Sequence, residues 1–154
     1  MTIEVRTADD MRTLGSELAA VAQPGDLVIL TGELGAGKTT LVQGIGAGLG
    51  VAGDVLSPTF VIARVHRGGR LPLVHADAYR LQSVEEIDDL DLDASLDESF
   101  TVVEWGAGLV DRLASDLLEV RIGRSADDAD ETRFVTLHPV GGSWAARVRR
   151  VGGG

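Results

Sequence analysis

The sequence contains no cysteine, so disulfide bonds, thiolate chemistry and cysteine-ligated zinc are excluded. No run of about 18 apolar residues occurs, which argues against a membrane span. The first ten residues are charged and have no apolar segment typical of a secretory signal. We therefore expect a cytoplasmic protein without a membrane partner. The length of 154 residues fits one domain, 1–154, which can bury a core of its own.

Positive charge is also scarce. The formal net charge is −10, and Lys38 is the only lysine among 14 basic residues. Nucleic-acid binding requires clustered lysine and arginine, so direct binding of nucleic acid by this chain is disfavoured. The segment Glu85–Glu98 holds eight carboxylates and no basic residue. Such a segment is most often a solvated helix and loop. The alternative interpretation is a docking surface for a basic partner.

Apolar runs alternate with helical patterns along the chain. Thr7 is a candidate cap for a first helix, and a second helix is expected from Lys38 to a stop at Gly50. Strands are predicted at Leu27–Leu30, Phe60–Val65, Leu71–Ala76, Phe100–Glu104, Leu117–Ile122 and Thr132–Leu137, and further helices from Ser83 and over Gly108–Ser115.

This order predicts an α/β fold of the P-loop NTPase-like, three-layer kind. The sheet should be mixed and mostly parallel, with helices on both faces. The turn Arg67–Arg70 predicts an antiparallel hairpin. Residues 145–154, which end in three glycines, are expected to form a flexible tail.

The main chemical signal is the segment Gly32–Thr39, which matches the Walker A pattern G-x-x-x-x-G-K-[ST]. Glycines allow backbone N–H groups to converge on phosphate oxygens, and the following helix presents its positive end to them. Lys38 should reach the outer phosphates, and Thr39 should offer its hydroxyl to Mg²⁺. A buried strand before the loop and an amphipathic helix after it support this interpretation. ATP or ADP and Mg²⁺ are the expected ligands.

A magnesium nucleotide site also needs a carboxylate near a strand end. Asp77 and Glu104 each follow an apolar run, and spacing does not decide which of them binds the metal directly. Thr59 lies in a Ser-Pro-Thr loop and could sense the γ-phosphate, although such a sequence is also ordinary turn chemistry. Trp105 could cover the nucleotide, anchor a partner, or be a plain core or surface aromatic.

Four ordered blocks resemble the TsaE (YjeE) family, bacterial P-loop ATPases required for the threonylcarbamoyladenosine modification of tRNA. The blocks extend over the middle of the chain. They are Gly32–Thr40, Ser57–Phe60, His75–Leu81 and Val103–Gly106. Ala78 departs from the bulkier apolar residue that is more usual in the family.

The resemblance assigns roles to individual residues. Lys38, Asp77, Glu104 and Thr59 would be catalytic, and Thr39 and Glu104 would hold the metal. Nucleotide contacts would come from the loop, from the adenosine end near Thr7, and from one aromatic; the residues implied are Glu33, Leu34, Gly35, Ala36, Gly37, Lys38, Thr39, Thr40, Ala8, Trp105 and Arg133.

The resemblance also implies partners, the proteins TsaD and TsaB, of which TsaD modifies adenosine 37 of tRNA. The ATPase would reset or regulate that complex and would meet tRNA only indirectly. Because spacing offers no arginine finger, we expect slow basal hydrolysis that partners accelerate. The main alternative is a small-molecule kinase, and a nucleotide-binding module without turnover is also compatible. A regulatory GTPase is disfavoured because its Asn-Lys-x-Asp motif needs a second lysine.

Overall fold

A computed structural model describes residues 1–32, 37–51, 63–77, 98–104, 116–124 and 131–151. Seven strands in these ranges form one sheet, and two helices and a 3₁₀ helix accompany them. The strands are β1 (Thr2–Val5), β2 (Leu27–Gly32), β3 (Ala63–His66), β4 (Leu73–Asp77), β5 (Phe100–Glu104), β6 (Leu117–Arg124) and β7 (Arg133–Val140). The helices are α1 (Ala8–Ala20), α2 (Lys38–Leu49) and the 3₁₀ helix Arg147–Arg150.

The sheet order is β1-β7-β6-β2-β5-β4-β3. The four central strands β6, β2, β5 and β4 run parallel, and β7 and β3 flank them in the antiparallel direction. The mixed α/β sheet and the β3–β4 hairpin are therefore as predicted. Antiparallel pairing is more extensive than expected, because β7 returns beside β6 and β1 pairs antiparallel with β7.

Both faces of the central strands are buried. One face packs with α1 and α2 in a common apolar core, to which β2 contributes Val28 and Leu30. Residues of the opposite face, including Ile29 and Val103, are also completely buried. Continuous burial on both sides explains why these strands are apolar runs and not alternating patterns.

α1 begins where the sequence predicts, and α2 both begins and ends where it predicts. The side chain of Thr7 accepts a hydrogen bond from the backbone N–H of Asp10 at 3.0 Å and so caps α1. Gly50 ends α2 in the left-handed conformation with φ 79°, which favours glycine. In the described part of the chain no helix has the length and apolarity needed to cross a membrane.

The prediction of a flexible tail is wrong for residues 145–151. Arg147 and Val148 are buried in the 3₁₀ helix, and Val151 is completely buried after it. Arg147 forms a bidentate ion pair with Asp26, at 2.7 and 2.9 Å. Charge pairing and apolar burial therefore hold in place a segment that was expected to be flexible because of the glycines that follow it. The last three glycines lie outside the described residues.

Several predicted elements cannot be compared with the structure. The helix from Ser83, the helix at Gly108–Ser115 and the loop at Ser57–Pro58 lie outside the described residues, as do residues 85–97 of the acidic segment. The strand predicted at Phe60–Val65 is described only from Ala63 onward.

Candidate functional site

The site is built at the junction between β2 and α2. β2 lies at the centre of the sheet, and α2 packs on one face of it. β2 ends at Gly32 and α2 begins at Lys38. Gly37 precedes α2 with φ 108°, a conformation that favours glycine, and so turns the chain into the helix. Methyl Cε of Met11 on α1 would lie 3.2 Å from a side chain added at Gly37. α1 therefore packs directly against the base of the loop.

Lys38 is held inside this junction. Its Nζ donates a hydrogen bond to the carbonyl oxygen of Gly32 at 2.6 Å, and only 7% of the residue is exposed. Burial lowers the pKa of Lys38, and the negative charge of Glu104 acts in the opposite direction. The ammonium thus contacts the end of β2 and is influenced by the charge of Glu104.

The ends of three parallel strands meet beside Lys38. Glu104, the last residue of β5, is in register with Leu30 of β2 and with Asp77 of β4. Glu104 is only 3% exposed, and its Oε2 lies 2.6 Å from Nε2 of the fully buried His75. The structure places the backbone of Asp77 next to Glu104. The two acidic residues predicted from sequence therefore occupy neighbouring strand ends.

A cavity opens beside the first turn of α2. Its walls come from the start of α1, the start of α2 and the beginning of β7; the lining residues are Thr7, Ala8, Met11, Gly37, Thr40, Glu131 and Arg133. The β1–β7 pairing joins these walls, since Val5 is in register with Arg133. The cavity thus brings together three distant parts of the sequence, represented by the pair Thr7 and Ala8, by Thr40 and by Arg133.

Other candidate residues differ in how far the structure describes them. Thr39 lies half-buried in the first turn of α2. Glu33, Leu34, Gly35, Ala36, Thr59 and Trp105 lie outside the described residues.

Sequence reasoning gave no role to Met11, His75 or Glu131. Met11 was recognisable only as a residue of the apolar helix face, and Glu131 only as a loop end close to Arg133. His75 belongs to one of the four blocks, but the sequence does not reveal that its strand lies beside β5.

Comparison with known proteins identifies the family. The model of the family "Threonylcarbamoyl adenosine biosynthesis protein TsaE" matches residues 5–134. A Streptomyces coelicolor protein named tRNA threonylcarbamoyladenosine biosynthesis protein TsaE is 58% identical over 139 residues, covering 88% of this chain and 94% of that protein. A Bacillus subtilis protein of the same name is 38% identical over 130 residues, covering 84% and 81%.

A solved structure agrees with the sequence matches. The crystal structure of Bacillus subtilis YdiB superposes with a TM-score of 0.80 at 29% identity, covering 97% of this chain and 91% of that one. The chain belongs to the TsaE family, as its four sequence blocks predicted.

Proposed function

We propose that the chain is a Mg²⁺-dependent ATPase that acts in threonylcarbamoyladenosine biosynthesis on tRNA. Membership of the TsaE family supports the pathway. The observation that carries the ATPase assignment is the junction of β2 and α2. There the Walker A pattern coincides with a buried lysine, a left-handed glycine and a helix N-terminus. We also propose that the domain is P-loop NTPase-like for this reason.

The phosphates would bind at the start of α2. The first N–H groups of a helix have no partner within the helix, so they are available to phosphate oxygens. Lys38 already has its ammonium buried beside this terminus. In the nucleotide complex we expect it to exchange the carbonyl of Gly32 for phosphate oxygens, which would compensate its lost hydration. The cavity bounded by Ala8 and Arg133 would hold the nucleoside end.

Thr39 and Glu104 are the residues that would hold Mg²⁺. Mg²⁺ commonly takes one or two protein oxygens and completes its shell with phosphate and water, and this donor set fits that preference. Bound Mg²⁺ would neutralise charge that develops on the phosphates. Asp77, at the neighbouring strand end, would orient the attacking water. Thr59 and Trp105 retain their proposed roles in γ-phosphate sensing and nucleotide contact.

TsaD and TsaB are the proposed partners, and tRNA would be reached through them. Because the net charge is −10, indirect contact with tRNA through partner proteins is favoured over direct binding of tRNA, which is a polyanion. Slow hydrolysis by the isolated chain is part of the proposal, because transition-state charge in related phosphoryl transfer is often stabilised by an arginine supplied by a partner.

ATP hydrolysis by the isolated chain, and then with TsaD and TsaB from the same organism, tests this function. We expect a slow basal rate that rises with the partners. Glu104→Gln should lower the stimulated rate by about 10²- to 10³-fold, the usual effect of removing one charge-stabilising group. Asp116→Asn is a matched control, because this exposed carboxylate precedes β6 at the opposite end of the sheet.

Rapid turnover that ignores the partners would contradict the proposal, as would full activity of Glu104→Gln. If the partners have no effect while ATP and Mg²⁺ still bind, the kinase alternative would gain support. Small-molecule phosphoryl acceptors would then be screened with the same assay.

A further inference from the structure

A buried histidine lies directly behind the proposed metal carboxylate. β4 and β5 are parallel neighbours, and their register places His75 beside Val102, two positions before Glu104. His75 has no exposed surface and Glu104 is 3% exposed. Their Nε2–Oε2 distance of 2.6 Å is short for a hydrogen bond of this type.

The direction of this hydrogen bond follows from the chemistry of the two groups. An ionised carboxylate can only accept, so His75 must carry a proton on Nε2. Nδ1 of His75 is buried and has no hydrogen-bond partner within the described part of the chain. The ring is therefore held by one strong contact, the one to Glu104.

A packing role alone does not account for this residue. The adjacent β4 positions Val74 and Ala76 are apolar and completely buried, as expected for a central strand. A buried polar atom without a partner normally costs free energy, so an apolar residue would suit position 75 better if volume were all that mattered. The contact that an imidazole makes here and an apolar side chain could not make is the one from Nε2 to Glu104.

We propose that His75 is a positioning residue: its Nε2–H holds Oε2 of Glu104 and so orients Oε1 toward the cation. The proposal rests on the proposed Mg²⁺–nucleotide function and concerns how this chain prepares its own carboxylate. Hydrogen-bonded neighbours of a metal ligand restrict its rotation, and their loss commonly weakens metal binding by about 10- to 100-fold.

Side-chain geometry supplies a discriminating set of variants. In His75→Gln the amide nitrogen reaches about as far as Nε2 and can donate to Glu104. In His75→Asn the amide is shorter and ends near the level of Nδ1, so it cannot make that contact. His75→Leu removes the donor while keeping the volume. Thr101→Val is the matched control, because it deletes a buried hydroxyl on β5 that has no partner within the described residues.

The measurement is Mg²⁺ affinity, obtained by calorimetric titration of MgCl₂ into each variant saturated with the ATP analogue AMP-PNP. We expect His75→Asn and His75→Leu to bind Mg²⁺ about 10- to 100-fold more weakly than the parent chain. His75→Gln should recover most of this loss, and Thr101→Val should match the parent. AMP-PNP affinity in EDTA should be the same in all five proteins.

Parental Mg²⁺ affinity in His75→Asn would overturn the positioning role, and so would equal weakening in His75→Asn and His75→Gln. Either result leaves the proposed function standing. If the parent chain itself shows no Mg²⁺ binding with AMP-PNP, the proposed function fails and the positioning role fails with it. Long-range ¹H–¹⁵N spectra of the metal-free parent provide a second readout: the Nε2–H tautomer of His75 is expected, and the Nδ1–H tautomer would overturn the proposal.

Discussion

Lys38 illustrates how one residue can serve a site at the expense of the fold. Its ammonium is buried beside the carbonyl of Gly32, and this burial lowers its pKa. A lowered lysine pKa means that the folded chain disfavours the charged form relative to the unfolded chain. The charge therefore opposes folding at neutral pH, which is typical of groups kept for binding or catalysis.

Lys38→Met should separate binding from stability. We expect AMP-PNP affinity to fall by at least about 100-fold, because a charged partner of the phosphates is lost. The thermal unfolding midpoint at pH 7 should be equal to or above that of the parent chain. Because the pKa of Lys38 is lowered, the parent chain loses this unfavourable charge as the pH rises through that pKa toward 10.5. Any stability advantage of Lys38→Met over the parent chain should therefore shrink over this pH range. A clear loss of stability at pH 7 would contradict this account.

The pair of helices α1 and α2 depends on glycines at their contact. A methyl group added at Gly44 would lie 2.2 Å from the carbonyl oxygen of Arg12, and one added at Gly15 would lie 2.3 Å from that of Leu41. The hydroxyl of Ser16 donates to the carbonyl of Gly44 at 3.1 Å across the same contact. The helix backbones are therefore too close for any side chain at these two positions.

Gly44→Ala should force the two helices apart. Overpacking of this kind usually costs about 1–3 kcal/mol of unfolding free energy, which denaturant titration can measure. Affinity for the proposed nucleotide should also fall, since residues of both α1 and α2 line the cavity. Gly142→Ala is the control, because a methyl group there would meet nothing within 4 Å. Unchanged stability of Gly44→Ala would show that the helix contact adapts easily.

Short sequence patterns predicted the structural features that depend only on adjacent residues. The cap at Thr7, the stop at Gly50 and the apolar run Phe100–Glu104 each depend on adjacent residues, and each is confirmed. β1 was missed because it is short, and only Val5 in it is fully buried. The role of His75 was missed because it depends on which strand lies next to β4. The predicted roles of Lys38, Thr39, Asp77 and Glu104 stay predictions until binding is measured.

At the scale of the whole molecule, the two ends of the sheet differ: one carries the candidate site, and the other is closed by packing and an ion pair. The candidate site lies where β2, β4 and β5 end. At the opposite end, Arg147 pairs with Asp26 just before β2 and donates to the carbonyl of Val21 at 2.9 Å. Its guanidinium also lies 4.0 Å from the ring centre of Trp144, which packs edge-on against Phe100. The segment after β7 thus closes the end of the core opposite the candidate site.

Arg147→Met should destabilise the chain without affecting the site. It leaves the carboxylate of Asp26 buried without its partner, a change that typically costs about 3–5 kcal/mol. The prediction is a lower unfolding midpoint together with unchanged AMP-PNP and Mg²⁺ affinity at a temperature where the variant is folded. Arg149→Ala, at a neighbouring exposed arginine, should leave both quantities unchanged. Loss of ligand affinity in folded Arg147→Met would instead couple the two ends of the sheet.

The pairing of β1 with β7 also has a consequence for synthesis on the ribosome. Thr2 and Thr136, whose hydroxyls lie 3.3 Å apart, are separated by 134 positions in the chain. A nascent chain that has emerged only as far as α2 already carries Lys38 and Thr39, but it lacks β7 and the Arg133 wall of the cavity. Contacts between such distant residues form late, after the intervening chain has been made. The cavity would therefore be complete only when translation has passed β7, so an incomplete chain that ends before β7 should lack the proposed nucleotide site.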